Sequence, residues 1–330
     1  MKRLFAFATI LLFSSSKYNS QTSTNKFEIS SDLEQISLWA KSNMPDQLGS
    51  INAEMITNKG SVTHVSDPRL IIHRPKKPNG IAILVISGGG YAHIELGKES
   101  TPTANWLASE GVTAFELIYR LPQEGWKTTN VPFEDAQRAM RIIRSSAKNY
   151  GIDPHKIGIL GFSAGGHLAG MIATQPNKMF YKPVDDIDSL SARPDFVGLI
   201  YPVISMLPPN NKTHAFKSIL GKNPSTSEEI EFSVERQVNS QTPPTLLAQA
   251  IDDPISPVEN SILMDDALKK VNVPVEMHLF KNGGHGWGLG KKGSEVAAWP
   301  GIFREWIGNG SFKILEHNCC DFNKKKRIFY

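Results

Sequence analysis

The 330-residue sequence is very poor in cysteine: Cys319 and Cys320 are the only two, and they are adjacent near the C-terminus. The rest of the chain therefore has no side chain that could form a disulfide bond or a thiolate metal site. An exported protein of this composition must depend on its hydrophobic core for stability, and a chain of this length can bury one. Hydrophobic residues make up 40% of the sequence and charged residues 21%, which is the balance of an ordinary globular protein.

The sequence also lacks an apolar run long enough to span a bilayer. The longest such run, residues 4–13, has about half of the ~20 residues that a spanning helix needs. Lys2 and Arg3 precede it and three serines follow, so residues 1–20 are predicted to be a secretory signal peptide, cleaved at about 16–20. We therefore expect a secreted or periplasmic protein with no membrane span after signal removal. The alternative is a retained amphipathic N-terminus.

Excess charge of one sign is confined to the two ends of the chain. The formal net charge is +4, but residues 1–20 and residues 311–330 carry +3 each, which leaves −2 for the residues between them. The central part of the chain thus has no excess of basic residues, and no nucleic-acid partner is expected. Residues 311–330, which contain a Lys-Lys-Lys-Arg run, are predicted to be a disordered basic tail.

Between these ends, short apolar segments alternate with helical patterns. This alternation predicts one α/β domain over residues 32–310, with a doubly wound, mostly parallel sheet and helices on both faces. Residues 205–242 are rich in Pro, Asn and Ser and interrupt the pattern, so they are predicted to be a lid or insertion. Near the start of the domain, residues 61–65 and 70–73 are predicted to pair as a hairpin at a sheet edge.

One stretch has the pattern of a nucleophile elbow. Residues 161–165 read Gly-Phe-Ser-Ala-Gly, between a short apolar strand and a helix of small and apolar residues. A strand that turns sharply into a helix crowds its neighbours, so the flanking positions need glycine, while the central hydroxyl is exposed above the sheet. Ser163 is therefore the candidate nucleophile; a glycine-rich turn that only packs the helix on the sheet is the alternative.

A serine nucleophile needs a base and an acid that orients the base, and both follow in the sequence. His285 lies in a glycine-rich loop, residues 282–287, directly after the last predicted strand of the sheet. Two adjacent carboxylates, Asp252 and Asp253, follow the preceding strand; Asp253 is favoured as the acid, and Glu259 is a further candidate.

The oxyanion of a tetrahedral intermediate needs backbone N–H donors. One is expected from Ala164, the residue after the nucleophile, and the others from Gly89 and Gly90, which follow the apolar strand at residues 81–86. A phosphate-binding loop is a poor alternative, because the Gly-Gly-Gly-Tyr segment lacks the Lys-Ser/Thr of a P-loop and the spacing of a dinucleotide-binding loop.

Several segments resemble the α/β-hydrolase superfamily, in particular bacterial carbohydrate esterases of the acetylxylan-esterase-like, feruloyl-esterase-like or BD-FAE type. They span roughly residues 36–307 and read ISLW, ISGGGYAHIELGKES, YRLP, PFEDAQRAMRIIRSSAKNYGIDPHKIGILGFSAGGHLA, RPDFVGLIYPVIS, TPPTLLAQAIDDPISP and GGHGWG. Two positions depart from the family's usual pattern: Ser87 stands where Pro or His precedes the glycines, and Ser256-Pro257 stands for Val-Pro after the acid.

The resemblance implies an α/β-hydrolase fold and a serine esterase with Ser163, Asp253 and His285 as its triad. It further implies that Tyr91 and Trp287 line the substrate cleft, unless they are simple packing residues. Acetyl esters on plant polysaccharide or oligosaccharide are the implied substrates, with no metal or cofactor. A prolyl-oligopeptidase-type peptidase and a catalytically inactive hydrolase-fold binding protein are the alternatives.

Overall fold

A computed structural model of the protein describes residues 26–47, 52–310 and 327–329. The predicted signal peptide lies outside these ranges. Twelve strands occur in the described part: β1 (Glu34–Ser37), β2 (Met55–Ile56), β3 (Ser61–Thr63), β4 (Arg69–His73), β5 (Ala82–Ile86), β6 (Ile94–Glu95), β7 (Thr113–Ile118), β8 (Ile157–Phe162), β9 (Phe196–Ile200), β10 (Thr245–Ala250), β11 (Val275–Phe280) and β12 (Arg327–Phe329). Eight α-helices accompany them: α1 (Thr101–Ser109), α2 (Val131–Ser146), α3 (Ala164–Thr174), α4 (His214–Leu220), α5 (Thr226–Glu231), α6 (Val234–Gln237), α7 (Glu259–Lys270) and α8 (Trp299–Gly308).

Nine strands form one sheet in the order β1-β4-β7-β5-β8-β9-β10-β11-β12. The pairs β1–β4 and β4–β7 are antiparallel, and every pair from β7 onward is parallel. Residues of α1 and α8 pack with one apolar cluster, and those of α2, α3 and α7 pack with another. The central strands β5, β8 and β9 are buried along their whole length, because helices cover both faces of the sheet. The predicted doubly wound, mostly parallel sheet is confirmed.

The predicted hairpin near the N-terminus is wrong. Strand β3 pairs with β2 and β6 in a separate three-stranded sheet, whereas β4 joins the main sheet between β1 and β7. His64 has a φ of 59°, and the backbone N–H groups of His64 and Val65 donate to the Glu124 carboxylate. This turn ends β3 and directs the chain away from it, so the two strands do not pair.

The C-terminal prediction also changes. Strand β12 runs parallel to β11, with Arg327 opposite Met277, so this part of the predicted disordered tail is an edge strand instead. Residues 311–326 and 330 lie outside the described ranges. Within the described ranges, none of the helices has both the length and the apolar character required to cross a bilayer.

A buried ion pair joins three segments of the chain on one side of the sheet. The Arg120 side chain, which is fully buried, contacts Asp135 through Nε and Nη2, the latter at 2.7 Å from Oδ1. Asp135 also accepts the indole N–H of Trp39 at 2.7 Å, and Arg120 Nη1 donates to the Pro45 carbonyl at 2.8 Å. A buried charge is tolerated only when it is paired in this way. This cluster therefore fixes the N-terminal segment and the start of α2 against the end of β7.

We predict that Asp135→Ala destabilises the protein strongly, because it leaves the Arg120 guanidinium buried without its main partner. The expected loss is about 3–5 kcal/mol in the free energy of unfolding, measured by urea denaturation. Glu305→Ala, which removes an exposed carboxylate on α8, is the control and should change the free energy by less than about 0.5 kcal/mol. Equal effects of the two substitutions would contradict the role given to the pair.

Candidate active site

Ser163 lies at the turn between β8 and α3, with φ 52° and ψ −119°. This strained conformation is rare for a residue with a side chain and is typical of a functional turn. A Cβ on Gly161 would lie 2.2 Å from the Gly165 carbonyl oxygen, and one on Gly165 would lie 2.4 Å from the Ile86 carbonyl oxygen. Both flanking positions of the motif therefore require glycine for steric reasons.

Three side chains that are distant in sequence form a hydrogen-bonded chain. Ser163 Oγ lies 2.8 Å from His285 Nε2, and His285 Nδ1 lies 2.7 Å from Asp253 Oδ2. Since a carboxylate can only accept, Nδ1 carries the imidazole proton, and Nε2 is free to accept the proton of the serine hydroxyl. These residues follow β8, β11 and β10, whose carboxyl ends meet at one edge because the strands are parallel.

The two adjacent aspartates make different contacts. Asp253 is held by the N–H groups of Ile255 and Ser256, which both donate to Oδ1, while Oδ2 also accepts from Gln249 Nε2. Asp252 instead accepts the N–H groups of Gly283 and Gly284, at 2.9 and 2.7 Å. Asp253 thus contacts the imidazole, and Asp252 fixes the loop that carries it.

The third candidate acid, Glu259, is exposed in the first turn of α7. Among the hydrogen bonds of the described residues, none joins it to His285. It is therefore not part of the chain of contacts that begins at Ser163.

The three predicted oxyanion donors border the same cavity as Ser163 and His285. None of the backbone N–H groups of Gly89, Gly90 and Ala164 donates a hydrogen bond to another described residue. Gly89 has a φ of 114°, and a Cβ there would lie 2.1 Å from the His93 carbonyl oxygen, so no other residue fits. The N-terminus of α3 lies at the same point and favours negative charge.

The cavity has a volume of about 420 Å³ and is lined by separate segments of the chain. The segment after the glycine loop contributes the polar side chains His93, Glu95 and Lys98. Two apolar side chains are Val203, from the segment after β9, and Ile255, from the loop after β10. The predicted insertion, residues 205–242, carries α4 to α6 and contributes Thr213, His214 and Ala215. A ligand at Ser163 would therefore meet both polar and apolar side chains.

Comparison with known proteins identifies the family. Residues 70–268, more than half of the chain, match the BD-FAE family. The chain belongs to this family. It is also similar to a solved acetyl ester-xyloside bifunctional hydrolase from Caldicellulosiruptor lactoaceticus, with 35% identity and a TM-score of 0.73, covering 84% of this chain and 97% of that one. The predicted α/β-hydrolase fold is thereby confirmed.

Two curated relatives are similar over a shorter part of their length. The acetylxylan esterase of Xylanibacter ruminicola is 33% identical over 67% of this chain and 44% of that protein. Endo-1,4-beta-xylanase B of Butyrivibrio fibrisolvens is 37% identical over 62% of this chain and 32% of that protein. This BD-FAE chain therefore spans less than half the length of either relative.

Several lining residues of the cavity were not predicted from the sequence, and Glu99 is one of them. Glu99 is 3% exposed, borders the cavity, and accepts the Gly88 N–H at 2.6 Å through Oε2. Burial raises the pKa of its carboxyl group to about 7. It lies in a π-helical turn, Leu96–Ser100. Burial is predicted from the periodicity of strands and α-helices, and a π-helical turn has neither of these periods, so the burial of Glu99 could not be predicted in this way.

The prediction that Tyr91 and Trp287 line the cleft is not supported. Tyr91 is fully buried, and its hydroxyl lies 2.9 Å from His167 Nδ1. Trp287 packs beneath the His285 loop against Tyr201, with ring centroids 4.5 Å apart, and against Trp299. Both side chains are amphipathic aromatics next to glycines, and neither is among the residues that line the cavity. They are packing residues.

His167 pairs with Tyr91 in a neutral form. Its Nε2 donates to the Phe232 carbonyl at 2.7 Å, so its Nδ1 accepts the Tyr91 hydroxyl. Burial lowers the pKa of this imidazole to about 4, which keeps it uncharged at neutral pH.

Within the described ranges, no group of three or more His, Cys, Asp or Glu side chains is arranged to hold a metal ion.

We predict that Tyr91→Phe affects stability rather than substrate binding. The change leaves the buried Nδ1 of His167 without a donor, which should lower the free energy of unfolding by about 1–3 kcal/mol. The KM for an ester substrate should stay within about twofold of the wild-type value, because the phenol does not reach the cavity. A large rise in KM with unchanged stability would restore Tyr91 to the binding site.

Proposed function

We propose that this protein is a secreted or periplasmic serine esterase that hydrolyses carboxylic esters, with acetyl groups on plant polysaccharide or oligosaccharide as its substrates. The observation that carries the proposal is the hydrogen-bonded order Ser163–His285–Asp253 at the mouth of a cavity with three unused N–H donors. The names of the relatives, an acetylxylan esterase and a xylanase, support the choice of substrate. The pattern of residues 1–20 supports export.

The proposed reaction begins when Ser163 Oγ attacks the ester carbonyl and His285 Nε2 takes the hydroxyl proton. The oxyanion that forms accepts hydrogen bonds from the N–H groups of Gly89, Gly90 and Ala164, and Asp253 stabilises the imidazolium. His285 then gives its proton to the sugar oxygen of the ester as the bond between this oxygen and the carbonyl carbon breaks. The sugar leaves with a free hydroxyl group, and an acyl-enzyme remains. Water, activated by the same imidazole, releases the acid and restores Ser163.

The mixed lining of the cavity is consistent with an acylated carbohydrate. The apolar side chains Val203, Ala215 and Ile255 suit a small acyl group, and the polar side chains His93 and Glu95 suit the hydroxyl groups of a sugar. No metal or cofactor takes part in the proposed mechanism.

Replacing the nucleophile tests the proposal directly. Ser163→Ala should lower kcat for p-nitrophenyl acetate by ~10⁴-fold or more, because no other group can form the acyl-enzyme. The wild type should also release acetate from acetylated xylan and leave a proline-peptide substrate uncleaved. Ester turnover that survives in the alanine variant would exclude Ser163 as nucleophile, while peptide cleavage by the wild type would favour a prolyl-oligopeptidase-type activity. A wild type inactive on all of these would favour a binding protein.

The adjacent aspartates provide a matched pair for testing the acid. Asp253→Asn should lower kcat by ~10⁴-fold, because an amide no longer selects the imidazole tautomer that leaves Nε2 unprotonated. Asp252→Asn keeps an oxygen that can accept from the loop amides, so its kcat should fall by less than about tenfold. The two variants differ from the wild type by one isosteric change each. A larger loss at position 252 would reverse the assignment.

A further inference from the structure

The side chain of Glu99 connects two parts of the site that belong to different segments. Its Oε2 accepts the Gly88 N–H at 2.6 Å, and its Oε1 accepts the Tyr201 hydroxyl at 3.0 Å. Gly88 begins the loop that presents the N–H groups of Gly89 and Gly90, and a Cβ on Gly88 would lie 2.7 Å from Ser163 Cβ. The carboxylate is thus bonded to the residue that directly precedes the predicted oxyanion donors.

Tyr201 extends this connection to the loop of the base. Its hydroxyl accepts the Gly288 N–H at 3.1 Å while it donates to Glu99. Its ring contacts the imidazole of His285 edge-on, with centroids 4.9 Å apart. Tyr201 itself has a φ of 37°, an unusual conformation that directs the chain at the end of β9. The Glu99 carboxylate therefore fixes the position of the glycine loop directly and that of the His285 loop through Tyr201.

We propose that Glu99 is a positioning residue for the esterase reaction: it aligns the oxyanion donors through Gly88 and the base through Tyr201. This inference rests on the proposed function, because alignment matters only if Ser163 and His285 carry out the chemistry. Oxyanion donors contribute fully only when they are fixed before the charge develops, since a mobile loop must be reordered during the reaction. The side chain is already fixed by two hydrogen bonds and by burial.

The charge of Glu99 has a second effect, on the base. A buried carboxylate near His285 stabilises the imidazolium that forms when the imidazole takes the serine proton. The titratable groups that face Glu99 are His285, Glu95, Tyr119 and Tyr201, with Lys98 next to it in the chain. Burial raises the pKa of Glu99 to about 7. Its charge is therefore present above that pH and is lost as the pH falls through it.

The test is Glu99→Gln, which keeps the shape of the side chain but removes the charge and one of its two acceptor contacts. We expect kcat for p-nitrophenyl acetate at pH 8 to fall by about 10–100-fold, with KM within about threefold of the wild-type value. The affinity for a boronic acid, which forms a tetrahedral adduct with the serine, should fall by a similar factor. A merely structural role would lower the melting temperature without this separation of kcat from KM.

The pH profile provides a second readout. In the wild type, part of the fall in kcat/KM as the pH drops through about 7 should come from protonation of Glu99, which removes the charge that supports the base. This part is absent in Glu99→Gln, so the ratio of wild-type to variant kcat/KM should be large at pH 8 and should shrink as the pH falls through about 7. An unchanged profile, together with unchanged kcat, would overturn the proposal.

Two further variants keep these outcomes distinct. Glu134→Gln alters another buried glutamate, one that contacts Arg120 away from the cavity, and should leave kcat unchanged whatever its effect on stability. Tyr201→Phe removes the hydroxyl but keeps the ring, so its effect on kcat should not add fully to that of Glu99→Gln in the double variant. If the effects of the two substitutions on kcat add fully, Glu99 and Tyr201 do not act through a shared path. If Glu99→Gln fails to fold, a wild-type kcat in Tyr201→Phe would contradict the shared path instead.

Failure of this proposal is separable from failure of the proposed function. If Ser163→Ala is inactive while Glu99→Gln matches the wild type in kcat, pH profile and boronic-acid affinity, the esterase assignment stands and the role of Glu99 falls. If Ser163→Ala retains the activity, the esterase assignment falls first.

Discussion

The whole site depends on the backbone conformation of Ser163, which a residue with a side chain adopts only when the surrounding structure enforces it. Three backbone hydrogen bonds do so: the Ser163 N–H donates to Ile200, and its carbonyl accepts from Val203 and His167. The first two contacts come from the neighbouring strand β9 and the chain that follows it, and the third is the start of α3. The strain of the elbow is therefore balanced by the sheet and helix that meet there. The serine hydroxyl is fixed before any substrate arrives.

Three carboxylates around this serine have similar chemistry and different tasks. Asp252, Asp253 and Glu99 each accept at least one backbone N–H, so each holds a loop in place. Only Asp253 also reaches the imidazole. What each carboxylate does therefore depends on the group that it contacts besides the backbone N–H, and not on its residue type. Glu99 lies in the same family segment as the oxyanion glycines, but ten residues after Gly89, so the segment alone does not show that its carboxylate returns to the glycine loop.

The parts of this site that could be read from the sequence are those with local causes. The glycines at 161 and 165 are needed within a single turn, and the order of Ser163, Asp253 and His285 follows from strands that end at one edge. The parts that could not be read depend on contacts between distant segments. Glu99 is buried by a π-helical turn, and Tyr91 is directed to His167 across 76 residues. The hairpin failed for the same reason, because Glu124 ends β3 from a remote loop.

The residues that carry the resemblance to the family are not all catalytic. Tyr119 and Arg120, from the YRLP segment, hold the Ser87 carbonyl and Asp135, so they act on the frame behind the site. A motif therefore identifies the family, but it does not show which of its residues support the site and which take part in the reaction.

Ser87 and Ser256, the two departures from the pattern that the resemblance implies, also support the site rather than react. Both serines are fully buried. The Ser256 hydroxyl donates to the Pro202 carbonyl at 2.6 Å, and its N–H donates to Asp253. The Ser87 hydroxyl lies 3.0 Å from the Glu95 carbonyl and 2.6 Å from Ser100 Oγ. A buried hydroxyl is costly unless it is bonded, and both are. Each serine therefore holds its segment by hydrogen bonds, Ser87 at the start of the glycine loop and Ser256 in the loop of the acid.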